Sequence, residues 1–213
     1  MEILFKNLIP HPLKDYPHAE NSIWGKEFTL YSPKKYLLNA ASGKGKTTFT
    51  HILAGIRKDF EGNVEIDKQK ITSFNSSKWT EFRKQKISFV FQDLQLFPHL
   101  SVKENFLVKN NLSNSFNAEE ILNFLKIVGL EEKFEQKCAL LSMGQQQRIA
   151  IIRALLQPFE ILVLDEPFSH LDKVNTEICL NLINQRVNEL NAGIVLTSLG
   201  EHYDFNFDDE LFL

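Results

Sequence analysis

Several things are scarce in this sequence, and each shortage excludes a class of protein. There are two cysteines, Cys138 and Cys179, 41 positions apart and in no CxxC pair, so neither a disulfide framework nor a thiolate zinc site has support. Both read as buried thiols. Apolar runs stop at about four residues, as at 161–164, where a bilayer crossing needs ~18–20. At the amino terminus Ile3, Leu4 and Phe5 sit between Glu2 and Lys6, too short a stretch for a secretory signal, so a cytoplasmic chain is expected. There is no basic excess either. Lys and Arg total 24 against 27 Asp and Glu, a formal net charge of -3, and a nucleic-acid partner is therefore not expected. Glycine, at 9 in 213 residues, is rare enough that each one is informative.

What is present suffices for a core. Hydrophobic residues make up 43% and charged residues 24%, and the length suits one domain carrying a lobe. Tyr36 to Asn39 reads as a strand, followed by a small-residue loop and a helix from Lys46 to Gly55. An apolar run at Ile87 to Phe91 precedes helical patterns at 102–109, 119–128 and 143–157, with a polar loop at 110–117. Ile161 to Leu164 and Ile194 to Thr197 look like buried parallel strands flanking a helix at 173–190. This alternation predicts an α/β sheet wrapped by helices.

The loop Ala40, Ala41, Ser42, Gly43, Lys44, Gly45, Lys46, Thr47 matches the phosphate-loop pattern G-x-x-x-x-G-K-[ST] everywhere but its first position. Backbone N–H groups must converge on phosphates there, which requires small residues, and the following helix adds its positive end. Lys46 would place its charge on the β and γ phosphates, and the Thr47 hydroxyl would bind Mg²⁺. Later, Ile161 to Leu164 deliver Asp165 and Glu166 to the carboxyl end of a strand, where open α/β sheets bind ligands. Asp165 would hold Mg²⁺ through water, and Glu166 would orient or deprotonate an attacking water.

Leu141, Ser142, Met143, Gly144, Gln145 resembles the L-S-G-G-Q signature of the ATP-binding cassette (ABC) ATPases, with Ser142 and Gln145 forming a capping box. The other motifs stand in that family's order. Gln92 follows the run at 87–91, and Ser169, His170, Leu171, Asp172 resembles its D-loop. The resemblance covers nearly the whole chain. It implies a P-loop NTPase fold, with a RecA-like core sheet (1–91 and 158–213) and an inserted helical signature lobe (92–157). ATP and Mg²⁺ are the implied ligands. Lys46, Gln92 and Glu166 are the implied catalytic residues, and Thr47, Gln92 and Asp165 the metal contacts. Nucleotide contacts would come from Ser42, Gly43, Lys44, Gly45, Lys46, Thr47 and Thr48, and from Ser142, Gly144, Gln145 and Asp172. Tyr16, thirty positions before Lys46, would stack on adenine, with His18 as a competitor.

By the same resemblance, two cassettes lie head to tail, the signature of one closing over ATP held by the other, and together they drive a membrane permease from its cytoplasmic face. The partners are therefore a second cassette and a permease, and the apolar and aromatic content around Phe97, Leu100 and Phe106 predicts a groove that receives a permease helix. One departure bears on turnover. Where the family has T-H-D after the last core strand, this chain has Thr197, Ser198, Leu199. Serine lacks the reach of an imidazole, so slowed hydrolysis is expected, with His170 and His202 as candidates to replace it. A weakly hydrolysing regulatory cassette and a non-transport ABC ATPase are the alternative readings. The 96 positions between Lys46 and Ser142 leave no room for the long coiled coils of the repair type.

Overall fold

A computed structural model describes residues 1–200 and 203–213. The chain first forms β1 (Glu2–Pro10), β2 (Glu27–Tyr31), β3 (Lys35–Asn39), α1 (Lys46–Leu53), β4 (Phe60–Ile66), β5 (Gln69–Lys70), α2 (Ser76–Gln85) and β6 (Ile87–Val90). It continues through α3 (Val102–Asn110), α4 (Ala118–Ile127), α5 (Met143–Leu155), β7 (Ile161–Asp165), α6 (Lys173–Leu190), β8 (Gly193–Ser198) and β9 (Asp209–Phe212). The expected helices and strands are present, with ends moved by a few residues at most. Among the described residues no helix is long and apolar enough to cross a membrane.

The central sheet is parallel, in the order β6-β7-β8-β3-β9. Every residue of β7 and β8 is buried, as a strand covered on both faces requires. Side chains alternate between two cores. Leu162, Leu164 and Leu196 face one shared with Val102, Phe106, Ile121 and Ile152 of α3, α4 and α5. Ile161, Val163 and Val195 face the other, shared with Phe49 and Ile52 of α1 and with Ile3 and Phe5 of β1. At about 1.5–3 kcal/mol per fully buried large side chain, β7 alone binds the two layers firmly.

The second sheet is antiparallel, in the order β2-β1-β4-β5, and the sequence pattern does not announce it. Its signal is broken by a bulge. Ile3 and Phe5 point inward, and then Leu8 does, because the register against β4 shifts between Lys6 and Ile9, with Asn7 at φ 51. Gly62 answers the bulge from β4: a Cβ there would fall 2.3 Å from the Asn7 carbonyl oxygen.

Local capping sets the helix starts. Ser101 with Glu104, Asn117 with Glu120 and Ser142 with Gln145 each form a reciprocal capping box, at α3, α4 and α5. One expectation is corrected here. Phe106 is wholly buried in the core beneath α3, so it lines no open groove, whereas Phe97 is exposed.

Candidate active site

The phosphate loop leaves β3 and enters α1, and neighbouring residues hold its shape. Gly45 has φ +103, and a Cβ there would meet Leu13 Cδ1 at 2.6 Å and Trp24 Cζ2 at 3.0 Å. Both the left-handed backbone and the space demand glycine. Trp24 also donates from Nε1 to the Lys44 carbonyl at 3.1 Å, a support that the loop motif alone does not reveal. Gly43, at φ +77, has nothing within 4 Å of its would-be Cβ, so the loop is open on that side.

Lys46 is buried, and its ammonium is fully engaged. It donates to the carbonyls of Ala40 (2.8 Å) and Ala41 (3.2 Å) and pairs with Glu166 Oε1 at 3.1 Å. The Thr47 hydroxyl donates to Gln92 Oε1 at 3.0 Å. These side chains, with Ser42 and Gly43, line one cavity of about 350 Å³. Thr48 lines it too. A neighbouring cavity of about 490 Å³ places Tyr16 and His18 beside Ser42, Gly43 and Lys44. Tyr16 is exposed there. A larger cavity of about 670 Å³ lies between α4 and α6 and contains none of these residues.

Behind the loop, Asp165 is completely buried at the end of β7. Its Oδ1 accepts from the Thr197 hydroxyl at 2.8 Å, and the Thr197 oxygen in turn accepts the Glu166 N–H at 3.0 Å. Thr197 sits opposite Asp165 in the β7–β8 register, which is how parallel pairing delivers it. Burial pushes the Asp165 carboxyl above its ordinary range, and the Thr197 and Thr47 hydroxyls and Lys46 oppose that shift. Its Oδ2 is buried with no hydrogen-bond partner among the described residues. Such an orphaned oxygen, near two neutral oxygen donors on Thr47 and Gln92, suits a hard cation that takes one carboxylate and completes its shell with phosphate and water. Among the described residues no three His, Cys, Asp or Glu side chains form a metal cluster. Glu166 has φ 48, a left-handed conformation costing about 1–3 kcal/mol in a residue with a side chain. That turn swings its carboxylate to Lys46.

Ser142, Gly144 and Gln145 are elsewhere on the surface of the same chain; none lines the phosphate cavity. Ser142 accepts from the Gln145 N–H at 3.3 Å, and Gln145 Oε1 accepts from the Ser142 N–H at 2.9 Å. Gly144 lies against the backbone after β7, where a Cβ would come 2.7 Å from the His170 carbonyl oxygen. Asp172 caps α6, accepting the Asn175 N–H at 2.8 Å. The residue that joins these segments is Gln147, 2% exposed. Its Oε1 accepts the His170 N–H (2.9 Å), and its Nε2 donates to Ser169 Oγ (2.9 Å) and the Glu166 carbonyl (3.3 Å). Helical spacing puts Gln147 on the buried stripe with Ala150, Ile151 and Ala154, a polar residue on an apolar face and hence a readable signal.

Arg153, on the same helix, donates to the carbonyls of Leu94 (2.9 Å) and Gln95 (2.7 Å), fixing the left-handed pair that follows Gln92. At the end of β8, Ser198 is 1% exposed and accepts the Gly200 N–H at 3.2 Å, while Leu199, 52% exposed, faces the phosphate cavity. His202 lies outside the described residues.

A family profile described as ABC transporter matches residues 25–169. The lipoprotein-releasing system ATP-binding protein LolD of Buchnera aphidicola subsp. Acyrthosiphon pisum is 32% identical over 160 residues, covering 74% of this chain and 70% of LolD. LolD of Cytophaga hutchinsonii is 35% identical over 159 residues, covering 72% and 71%. Among solved structures, the dimeric structure of MJ0796, a bacterial ABC transporter cassette, superposes with TM-score 0.78 at 29% identity, covering 92% of this chain and 88% of that one. A dimeric post-hydrolysis state of the same cassette, bound to ADP and Pi, gives TM-score 0.77.

Proposed function

The chain belongs to the ABC transporter family as an ATP-binding, ATP-hydrolysing subunit that works as a dimer with a separate permease, and from that premise we propose how its residues divide the work. The observation that carries the reading is the single cavity where the phosphate loop, Lys46, Thr47, Gln92 and Glu166 meet. Without nucleotide, Lys46 takes Glu166 and two carbonyls as partners. Entering β and γ phosphates replace Glu166 as its counter-charge. That exchange releases the Glu166 carboxylate to orient a water and accept its proton as the water attacks the γ phosphorus.

Backbone N–H groups of residues 42–48 cradle the phosphates, with the open side at Gly43 admitting them. Thr47, Gln92 and Asp165 would hold Mg²⁺. When bound there, Mg²⁺ would neutralise charge on the phosphate oxygens and help to align them. Tyr16, exposed beside the loop, supplies an aromatic face for adenine. Ser142, Gly144, Gln145 and Asp172 act on the nucleotide of the second copy, which fits their absence from the cavity of their own chain. The protein associates peripherally with the membrane through its permease, on the cytoplasmic face, where ATP is supplied.

Glu166→Gln tests the division. It keeps the size of the side chain and removes the base, so Mg-ATP should drive the variant into a stable dimer, read by size-exclusion chromatography with light scattering. A monomer with bound ATP would overturn the head-to-tail reading.

A further inference from the structure

His170 has no role in the scheme above, yet its surroundings are built with unusual care. Its peptide is held on both sides: the N–H by Gln147 Oε1, and the carbonyl by close packing on Gly144. Because the His170 N–H identifies the Gln147 atom facing it as oxygen, the other end of that amide is the donor to Ser169 Oγ. Ser169 Oγ lies 3.0 Å from His170 Nδ1. The arrangement that uses every proton has the hydroxyl donating to Nδ1, which leaves the neutral imidazole with its proton on Nε2. Ser169 and His170 are both exposed, so this oriented donor is presented outward, next to the capped start of α5. Met143, the chain neighbour of Gly144, and Val174, four positions after His170, are 49% and 66% exposed. Apolar side chains left this open beside a fixed polar tip suit a surface that a second copy covers.

The phosphate cavity of the same copy has no such donor. Among the described residues no histidine lines it, Ser198 is turned into the protein, and Leu199 offers only carbon. We propose that in the closed dimer the His170 imidazole of one copy donates its Nε2–H to the terminal phosphate of the ATP held by the other copy. This rests on the head-to-tail reading under Proposed function. No proton leaves the ring. The hydrogen bond stabilises charge developing on a γ oxygen while water attacks phosphorus, the bond to the β-phosphate oxygen breaks, and Glu166 takes the proton of the water.

The test is complementation between two copies, with steady-state ATP turnover as the readout. His170→Ala alone should lower kcat by on the order of 10² to 10³, with KM changed less than about threefold. His170→Gln, whose amide can present an N–H in nearly the same place, should recover at least about tenfold of that loss. The double variant His170→Ala/Glu166→Gln should still dimerise at the ATP concentrations that dimerise Glu166→Gln, which a distorted interface would not do. When His170→Ala and Glu166→Gln are mixed, about half the dimers contain one of each, and one site per mixed dimer combines an intact Glu166 with an intact His170. Turnover should rise above that of either variant alone, to at most about a quarter of the wild-type value. Wild-type turnover in His170→Ala would overturn the proposal. So would a mixture no faster than its components while Glu166→Gln still forms its ATP dimer, a result that leaves the head-to-tail reading intact. A Glu166→Gln variant that stays monomeric with ATP bound would overturn both.

Discussion

Replacing Gly144 by alanine sets two physical effects of opposite sign against each other. Gly144 is the second residue of α5, and its backbone needs no positive φ. Helix propensity alone therefore makes alanine the better residue, by up to about 1 kcal/mol. The packing says otherwise. The new Cβ would lie 2.7 Å from the His170 carbonyl oxygen, a backbone atom with little freedom, because the His170 N–H is tied to Gln147 and the Leu171 N–H to the Phe168 carbonyl at 3.0 Å. Forcing a methyl group into so tight a contact costs about 1–3 kcal/mol. The clash should win by about 1 kcal/mol, which for a chain of this size lowers Tm by about 2–4 °C. Thermal unfolding of the nucleotide-free protein, followed by circular dichroism, measures it. A Tm raised by the same amount would mean that the segment after β7 does not rest on the start of α5 as described, and the link from signature to D-loop would lose its structural basis.

Two further outcomes follow from cations held away from water. Burial, with Arg153 and Arg83 nearby, pushes the Lys109 ammonium down to about 8, against ~10.4 in an unfolded chain. Between those values the unfolded state binds more protons, so this group adds stability as pH rises from about 8 to 10 and costs stability below that. Lys109→Met should therefore be more stable than wild type at pH 7 by about 1–2 kcal/mol, and urea midpoints should show the gap closing by about pH 10; a gap independent of pH would contradict this. Arg153→Met strips the Leu94 and Gln95 carbonyls of their donor and should lower Tm by about 4–8 °C, taking about 2 kcal/mol for the net loss of these buried bonds. It should also slow turnover by loosening the backbone after Gln92, and unchanged kinetics would show that Arg153 is only a packing residue.

Much of this protein was legible in its sequence, for physical reasons. β7 and β8 are unbroken apolar runs because both their faces are covered, and α3, α4 and α5 begin at capping boxes. The antiparallel sheet was not legible, since the bulge at Asn7 moves the inward residues from odd to even positions within one strand. Within the site, the loop and acidic strand announce themselves by local pattern, whereas Trp24, Thr197 and Gln147 act through contacts distant in sequence. The mismatch after β8 was visible as Ser198 and Leu199, but only the fold shows that serine turns inward and leucine faces the phosphates' side. His170 changes most in meaning. As a letter it is a substitution in a loop; in the fold it is an imidazole whose tautomer its neighbours set.

The central claim is that the cavity around Lys46 is where ATP binds, and isothermal titration calorimetry with Mg-ATP tests it most directly. Among the described residues Lys46 is the one full positive charge lining that cavity, so Lys46→Ala, confirmed folded by an unchanged circular dichroism spectrum, should lose most of the binding seen with the wild-type chain. A folded Lys46→Ala variant that binds Mg-ATP with wild-type affinity would contradict the account.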